Sequence, residues 1–270
     1  MNSCILLVFE GEKPEKMIHD NVKRNFFSEK QEIVFTAYNA EIFQLWNWLK
    51  ENYNGDTAVD LIEILKERGN LAVENMSRDN VTEIHLFFDH DAHSHLDTMS
   101  IGEYNNVISE MLNYFCDEYY QGKLWISYPM AEALRHCKKN PGSCFENCVV
   151  AIDQNTGYKE LVGNLSDYLD IRKLDTGDWY YFIAIAMQKA NCLQNGDCAT
   201  PPYRETENFD QAKIHENQIA KFINTETKVA VLSAFPLFLL YFFGEPLYKE
   251  THTINKDCQF RCLCKSTTSP

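Results

Sequence analysis

Apolar and polar positions in the first half of the chain switch between the two-residue period of a strand and the 3.6-residue period of a helix. Cys4 to Phe9 is an almost unbroken apolar run, the pattern of a strand buried on both faces. From Pro14 to Phe27 the residues Ile18, Val22 and Phe26 fall on one helical face, and proline suits a first turn. Glu32 to Tyr38 reads as a second strand. Asn39 is placed to cap a helix carrying Ile42, Phe43, Leu45, Trp46 and Leu49, and a further helix is expected from Asp56 to Arg68, stopped by Gly69. The run Ile84 to Phe88 gives a third strand. Ser100-Ile101-Gly102-Glu103 is a capping box that opens a long helix with Tyr104, Ile108, Met111 and Phe115 on its core face. Gly122 is expected to end that helix, Leu124 to Tyr128 to form a fourth strand, and Pro129 to start another helix bearing Glu132, Arg135 and His136.

Such alternation predicts an α/β fold, a parallel sheet flanked by helices on both faces. The second half reads differently. Trp179 to Gln194, Phe209 to Ile223 (opened by Asn208) and Val229 to Phe243 are helical patterns, separated by a loop around Gly196 to Glu207 with Pro201 and Pro202. The expected organisation is an α/β domain over residues 1–140 and a mainly helical C-terminal subdomain over 141–270, with the boundary between Pro141 and Lys159.

The chain has 270 residues and a formal net charge of -14. That charge argues against nonspecific coating of nucleic acid, because surfaces that track phosphates are normally basic. The N-terminal apolar run lacks the preceding basic residues and the length of a signal peptide, so a cytoplasmic protein is expected. Val229 to Phe243 falls short of the about 20 residues needed to cross a bilayer and contains Pro236; it reads as a buried helix ending at Gly244, with no membrane partner. Ten cysteines without a secretion signal point to reduced thiols. Neither Cys258, Cys262 and Cys264 near His252, nor Cys144 with Cys148, has the paired spacing of a structural zinc site.

Two acidic motifs carry the candidate chemistry. Glu10-Gly11-Glu12 follows the first strand and Asp89-His90-Asp91 follows the third. Residues two apart on a strand share a side, so Asp89 and Asp91 project together. Parallel sheets bind ligands at the carboxyl ends of their strands, where both motifs lie. If the strands are neighbours, Glu10, Asp89 and Asp91 converge, and their mutual repulsion calls for a cation. Mg²⁺ or Mn²⁺ suits an all-oxygen donor set completed by waters and phosphates. Such a metal centre is able to hydrolyse a phosphodiester, so an acidic protein remains compatible with an anionic polymer substrate.

Four histidines, His85, His90, His93 and His95, crowd the second motif. They read as polar loop residues near a binding site, with His93 and His95 on the loop after the strand and His90 facing away from the aspartates; the rival reading is a mixed His/carboxylate site for Mn²⁺ or Zn²⁺. Trp46, Trp48, Trp125, Trp179, Tyr180 and Tyr181 fit core positions better than a base-stacking platform.

The strand ending in Glu10-Gly11-Glu12, the strand ending in Asp89-x-Asp91 and the α/β alternation between them resemble the TOPRIM domain of topoisomerases, primases, OLD-like nucleases and RloB-like or PARIS-type phage-defence effectors. The likeness covers residues 4–140, and a small TOPRIM core with a helical extension is most similar to the defence effectors. No glycine closely follows the aspartate pair, a departure from primase-like members. The resemblance implies a TOPRIM-like sheet in which Glu10 is a metal ligand or general acid/base, Asp89 and Asp91 hold Mg²⁺, and Glu12 supports a second ion. It also implies that Lys13, Lys16 and Glu132 lie near the substrate, where the loop position of His93 puts that residue as well. The implied activity is a Mg²⁺- or Mn²⁺-dependent nuclease acting on DNA or RNA, tRNA included, as a toxic anti-phage effector restrained by an ATPase sensor or inhibitor protein; a homodimer is compatible with it. The rival readings are a nucleotide-sugar transferase using Asp-x-Asp with Mn²⁺, which leaves Glu10 unexplained, and a non-catalytic interaction module.

Overall fold

The computed structural model describes residues 4–28, 32–53, 59–70, 72–92, 95–137, 148–152 and 155–254. The chain divides into two compact units, Met1–Phe88 with Val107–Trp125, and Asp89–Asn106 with Ile126–Pro270.

The first unit is built on a mostly parallel sheet. Its elements in chain order are β1 (Cys4–Phe9), α1 (Lys13–Phe26), β2 (Glu32–Ala37), α2 (Ile42–Tyr53), α3 (Leu61–Glu67) and β3 (Val81–Asp89), then α4 (Ile101–Tyr114), β4 (Cys116–Asp117) and β5 (Gly122–Ser127), of which Asp89 and residues 101–106 and 126–127 belong to the second unit. The strand order is β2-β1-β3-β5-β4. β1 pairs parallel to both β2 and β3, with Phe9 opposite Ala37 on one side and Phe87 on the other. All six residues of β1 are buried, as its apolar run requires of a strand covered on both faces. The chain thus leaves β1 for β2 on one side and returns to β3 on the other, which makes the carboxyl ends of β1 and β3 the point where strand order reverses. α4 begins with the expected capping box: Ser100 N donates to Glu103 Oε2 at 2.8 Å and Glu103 N to Ser100 Oγ at 3.2 Å. Tyr104, Ile108, Met111 and Phe115 are all buried, as their spacing predicts.

Several local expectations fail for identifiable reasons. Asn39 does not cap α2; its φ of 56° makes it a left-handed turn residue. α3 starts at Leu61 behind Asp60, whose side chain accepts from Ile62 N, and the expected start at Asp56 lies outside the described residues. Gly122 does not end α4. The helix stops at Tyr114, and a β4–β5 hairpin follows in which Gly122, at φ 86°, opens β5. Pro129 does not start an α-helix, because the Tyr128–Pro129 peptide is cis and leads only into a 3₁₀ segment, Ala131–Arg135.

The second unit continues with β6 (Val149–Ala151), α5 (Asn155–Leu165), α6 (Thr176–Asn195), α7 (Tyr203–Thr206), α8 (Gln211–Gln218), α9 (Asn224–Glu226), β7 (Lys228–Ala230) and α10 (Ala234–Ile254). A π-helical turn, Ile219–Ile223, joins α8 to α9. α6 is buried on nearly every face and packs against α10. Asp175 caps α6 in a reciprocal box with Asp178, and Asp210, not Asn208, caps α8 through Lys213 N. The apolar run from Val229 is two elements: its start pairs antiparallel with β6, and the helix follows. Gly244, at φ 62° and ψ -143°, interrupts α10 where the helix was expected to end, and Pro246 falls in the turn that follows. No helix among the described residues is long and apolar enough to cross a membrane.

Reduced thiols were expected throughout, yet Cys192 and Cys198 form a disulfide. The cause is local. Gly196 ends α6 in the left-handed conformation and turns the chain back, so that Gln188 Nε2 donates to Thr200 Oγ1 at 2.9 Å and Asn191 Nδ2 to Ala199 O at 3.1 Å. Cys4 and Cys116 are thiols, whereas Cys144, Cys258, Cys262 and Cys264 lie outside the described residues.

Candidate functional site

In the first unit the carboxyl end of β1 is fixed from both sides. Phe9 stacks on Phe35 and on Phe87, with ring centroids 5.1 Å apart in each case. Its carbonyl accepts from Tyr38 N at 2.7 Å, and the next residue, half-buried Glu10, donates its backbone N–H to Phe87 O at 3.1 Å. The sheet therefore holds Glu10 immediately beyond the last in-register pair of β1 and β3. Glu12 is exposed at the start of α1, where its carbonyl accepts from Lys16 N at 3.0 Å and its side chain makes no cap. Carboxylates at this helix end meet the positive end of the helix dipole. Lys13 is exposed, and Lys16 is committed to Asp20, with its Nζ 5.3 Å from the Phe35 ring centre.

A further acid, Glu15, was not singled out by the sequence. It is buried in the first turn of α1, and its Oε1 lies 3.0 Å from where a Cβ on Gly11 would stand. A Cβ at this position would make a tight contact that the Glu15 side chain would have to relieve. The signal for it was Gly11 itself, four residues ahead of an acid on a proline-started helix.

In the second unit Asp89, the last residue of β3, and Asp91 are half-buried and flank a fully buried His90. His90 is not the polar surface residue expected. Its backbone N donates to Ser127 O at 2.9 Å, its Nε2 pairs with Asn105 Oδ1 at 3.0 Å, and its ring lies against Tyr104, Tyr128 and His215. Burial pushes its pKa down to about 4, against a small opposing pull from Asn105, so the ring is neutral. Neither His215 nor Asn105 stood out in the sequence, since each occupies a helix position whose partners are distant in the chain.

His85, in the first unit, is likewise interior. Trp125 Nε1 donates to its Nδ1 at 3.2 Å and its Nε2 pairs with Glu83 at 2.9 Å. Burial lowers its pKa, only partly offset by Glu83. His95 stacks on Tyr104 at 5.5 Å, and His93 lies outside the described residues. Glu132 sits in the 3₁₀ segment after the cis proline, buried, with Lys159 Nζ 3.9 Å from its carboxylate. Trp46, Trp125, Trp179 and Tyr181 are core residues, as their spacing implied.

Among the described residues no three His, Cys, Asp or Glu side chains are gathered to hold a metal ion. Asp89 and Asp91 are two half-buried carboxylates separated by one residue. That donor set fits Mg²⁺, which binds through one or two carboxylates and takes its remaining ligands from waters and substrate phosphates. Comparison with protein-family models, with curated proteins and with solved structures finds no match.

Proposed function

We propose that this chain is a TOPRIM-type, metal-dependent nuclease that hydrolyses phosphodiester bonds in DNA or RNA, with Glu10, Asp89 and Asp91 acting together. One observation carries the reading: β1 and β3 are adjacent parallel strands paired Phe9 to Phe87, with Glu10 the first residue beyond β1 and Asp89 the last of β3. Two acidic motifs remote in sequence therefore end neighbouring strands at the point where strand order reverses, the usual ligand position in open α/β sheets.

On this reading Asp89 and Asp91 would hold the cation. Glu10 holds the attacking water and takes its proton at the carboxylate. Bound there, Mg²⁺ or Mn²⁺ supplies positive charge against the phosphate and favours ionisation of water. Glu12 stands near enough in sequence to support a second ion. Exposed Lys13 meets the polymer backbone, whereas Lys16, held by Asp20, and Glu132, next to Lys159, contribute less directly. A chain of net charge -14 must meet its polymer through such local contacts. A toxic nuclease also needs restraint, which makes an anti-phage effector held by an ATPase sensor or inhibitor protein the fitting biological setting.

The test is incubation of pure protein with plasmid, single-stranded DNA and total tRNA, with Mg²⁺, with Mn²⁺ and with chelator. Metal-dependent cutting of any of the three supports the proposal. Intact polymers, with or without hydrolysis of a UDP-sugar, overturn it.

A further inference from the structure

A cleft of about 610 Å³ opens in the first unit at the carboxyl end of β2. Its size lies within the roughly 300–1,000 Å³ range of small-molecule sites. One wall is the turn after β2, Tyr38 and Asn39, where the left-handed Asn39 swings the chain away. The opposite wall is the turn after α3, Arg68 to Asn70, with Gly69 at φ 74°. The floor is rigid: Thr36 Oγ1 donates to Asn70 Oδ1 at 2.8 Å, and Asn70 Nδ2 donates back to Ala37 O at 3.2 Å.

Facing this floor are three exposed polar side chains and one enclosed hydroxyl. Arg68 lies over the Tyr38 ring, 5.1 Å from its centre, and makes no ion pair among the described residues. The side chains of Gln44 and Asn39 line the cleft without a hydrogen bond among those residues. The Tyr38 hydroxyl is shut off from bulk water with no hydrogen-bond partner among them, an arrangement that costs stability unless a ligand answers it. Burial pushes this phenol up to about 12, so it remains a donor. Glu12 also lines the cleft, but Tyr38, Asn39, Gln44 and Arg68 have no part in the nuclease reading.

We propose that this cleft binds a nucleoside monophosphate. Arg68 is its sole cationic lining residue and supplies a planar fork for one phosphate. Gln44 and Asn39 offer both donors and acceptors for the edge of a heterocycle, and the Tyr38 hydroxyl donates to the ligand. Glu10 is not among the lining residues, and binding is measured without polymer, so occupancy is read independently of cleavage.

Calorimetric titration of the whole chain with AMP, GMP, CMP and UMP at millimolar concentrations tests this, beside adenosine and inorganic phosphate alone. At least one nucleotide is expected to bind, and each half-molecule to bind more weakly. Arg68→Ala is expected to weaken that binding roughly tenfold or more, the effect of losing a bond to a charged group. Tyr38→Phe removes only the hydroxyl, so it is expected to weaken binding while leaving the melting temperature of the free chain unchanged or higher. No heat from any nucleotide overturns the proposal, as does phosphate binding equal to that of the nucleotides, or affinity indifferent to both variants. Failure here leaves metal-dependent cutting untouched, and the reverse also holds.

Discussion

His215 Nδ1 lies 3.0 Å from the hydroxyl of Tyr128, while its Nε2 lies 3.2 Å from the backbone carbonyl of Asn105. A carbonyl only accepts, so Nε2 carries the proton and Nδ1 accepts from the tyrosine. The imidazole is therefore neutral and committed at both nitrogens, with His90 packed beside it at a ring separation of 5.8 Å. This buried cluster joins α8, the first half of α4 and the residue after β5 to His90, the middle residue of the Asp89–Asp91 motif, within the second unit.

A neutral, buried His215 makes stability pH-dependent. Burial first, then the neighbouring His90, lowers its folded pKa to about 3, against an unfolded value of 6.5. The unfolded chain thus takes up a proton that the folded chain refuses. Stability is expected to be level above about pH 6.5 and to fall as the pH drops from there toward the folded value, by about 1.4 kcal/mol for each pH unit fully traversed. Urea midpoints from pH 8 to about pH 4.5 measure this. An imidazole of His215 that titrates near pH 6.5 in the folded protein would contradict it.

Gly122→Ala should be among the most damaging single-methyl changes. At φ 86° an L side chain is strained, and a Cβ there would stand 2.9 Å from Leu86 Cδ1 and 3.2 Å from both Ile84 Cγ2 and Leu61 Cδ2. Strain and overpacking together suggest a loss of roughly 2–4 kcal/mol. Gly69→Ala is the control, having the same positive φ and nothing within 4 Å of its Cβ. Its loss, read from denaturation midpoints, should be clearly smaller.

The sequence made some levels of this structure legible and hid others. β1, β3, the α4 capping box and the core face of Tyr104, Ile108, Met111 and Phe115 follow from periodicity and capping, because one local interaction decides each of them. Gly122 and Pro129 show the limit. Glycine ends a helix or opens a strand equally well at positive φ, and whether an X-Pro bond is cis depends on tertiary surroundings. Val229 to Ala230 read as helix because a short apolar run carries no period of its own. His90 looked like a loop residue since its partners, Asn105 and His215, arrive from other elements. The acidic motifs were legible as strand-end carboxylates; buried Glu15 was not, because a lone acid on a helix normally faces water.

Gln218 is fully buried and works as a piece of strand. Its Nε2 donates to Ala230 O at 2.7 Å, and its Oε1 accepts from Ala230 N at 2.8 Å, so the side-chain amide completes the backbone pairing of β7. Gln218→Ala leaves a buried N–H and C=O without partners and opens a cavity, for an expected loss of roughly 2–4 kcal/mol. Gln218→Glu should be nearly as harmful, since a carboxylate offers no donor to the Ala230 carbonyl. Equal midpoints for wild type and either variant would remove this role.

Carboxylates that gather around an ion repel one another in its absence, so catalytic and structural roles for Glu10, Asp89 and Asp91 separate cleanly. If they hold the cation, Glu10→Gln, Asp89→Asn and Asp91→Asn each lower cleavage by more than about a hundredfold, beyond what loss of a supporting group causes. In chelator the same variants melt at or above the wild-type temperature, because one repelling charge is gone. Added Mg²⁺ raises the melting temperature of the wild type by mass action and does so less, or not at all, in the aspartate variants. This last measurement needs no substrate, so it tests ion binding even if the right polymer has not been supplied. Variants that lose cleavage and also melt far below wild type in chelator would show instead that these side chains hold the fold, and the nuclease assignment would lose its acidic centre.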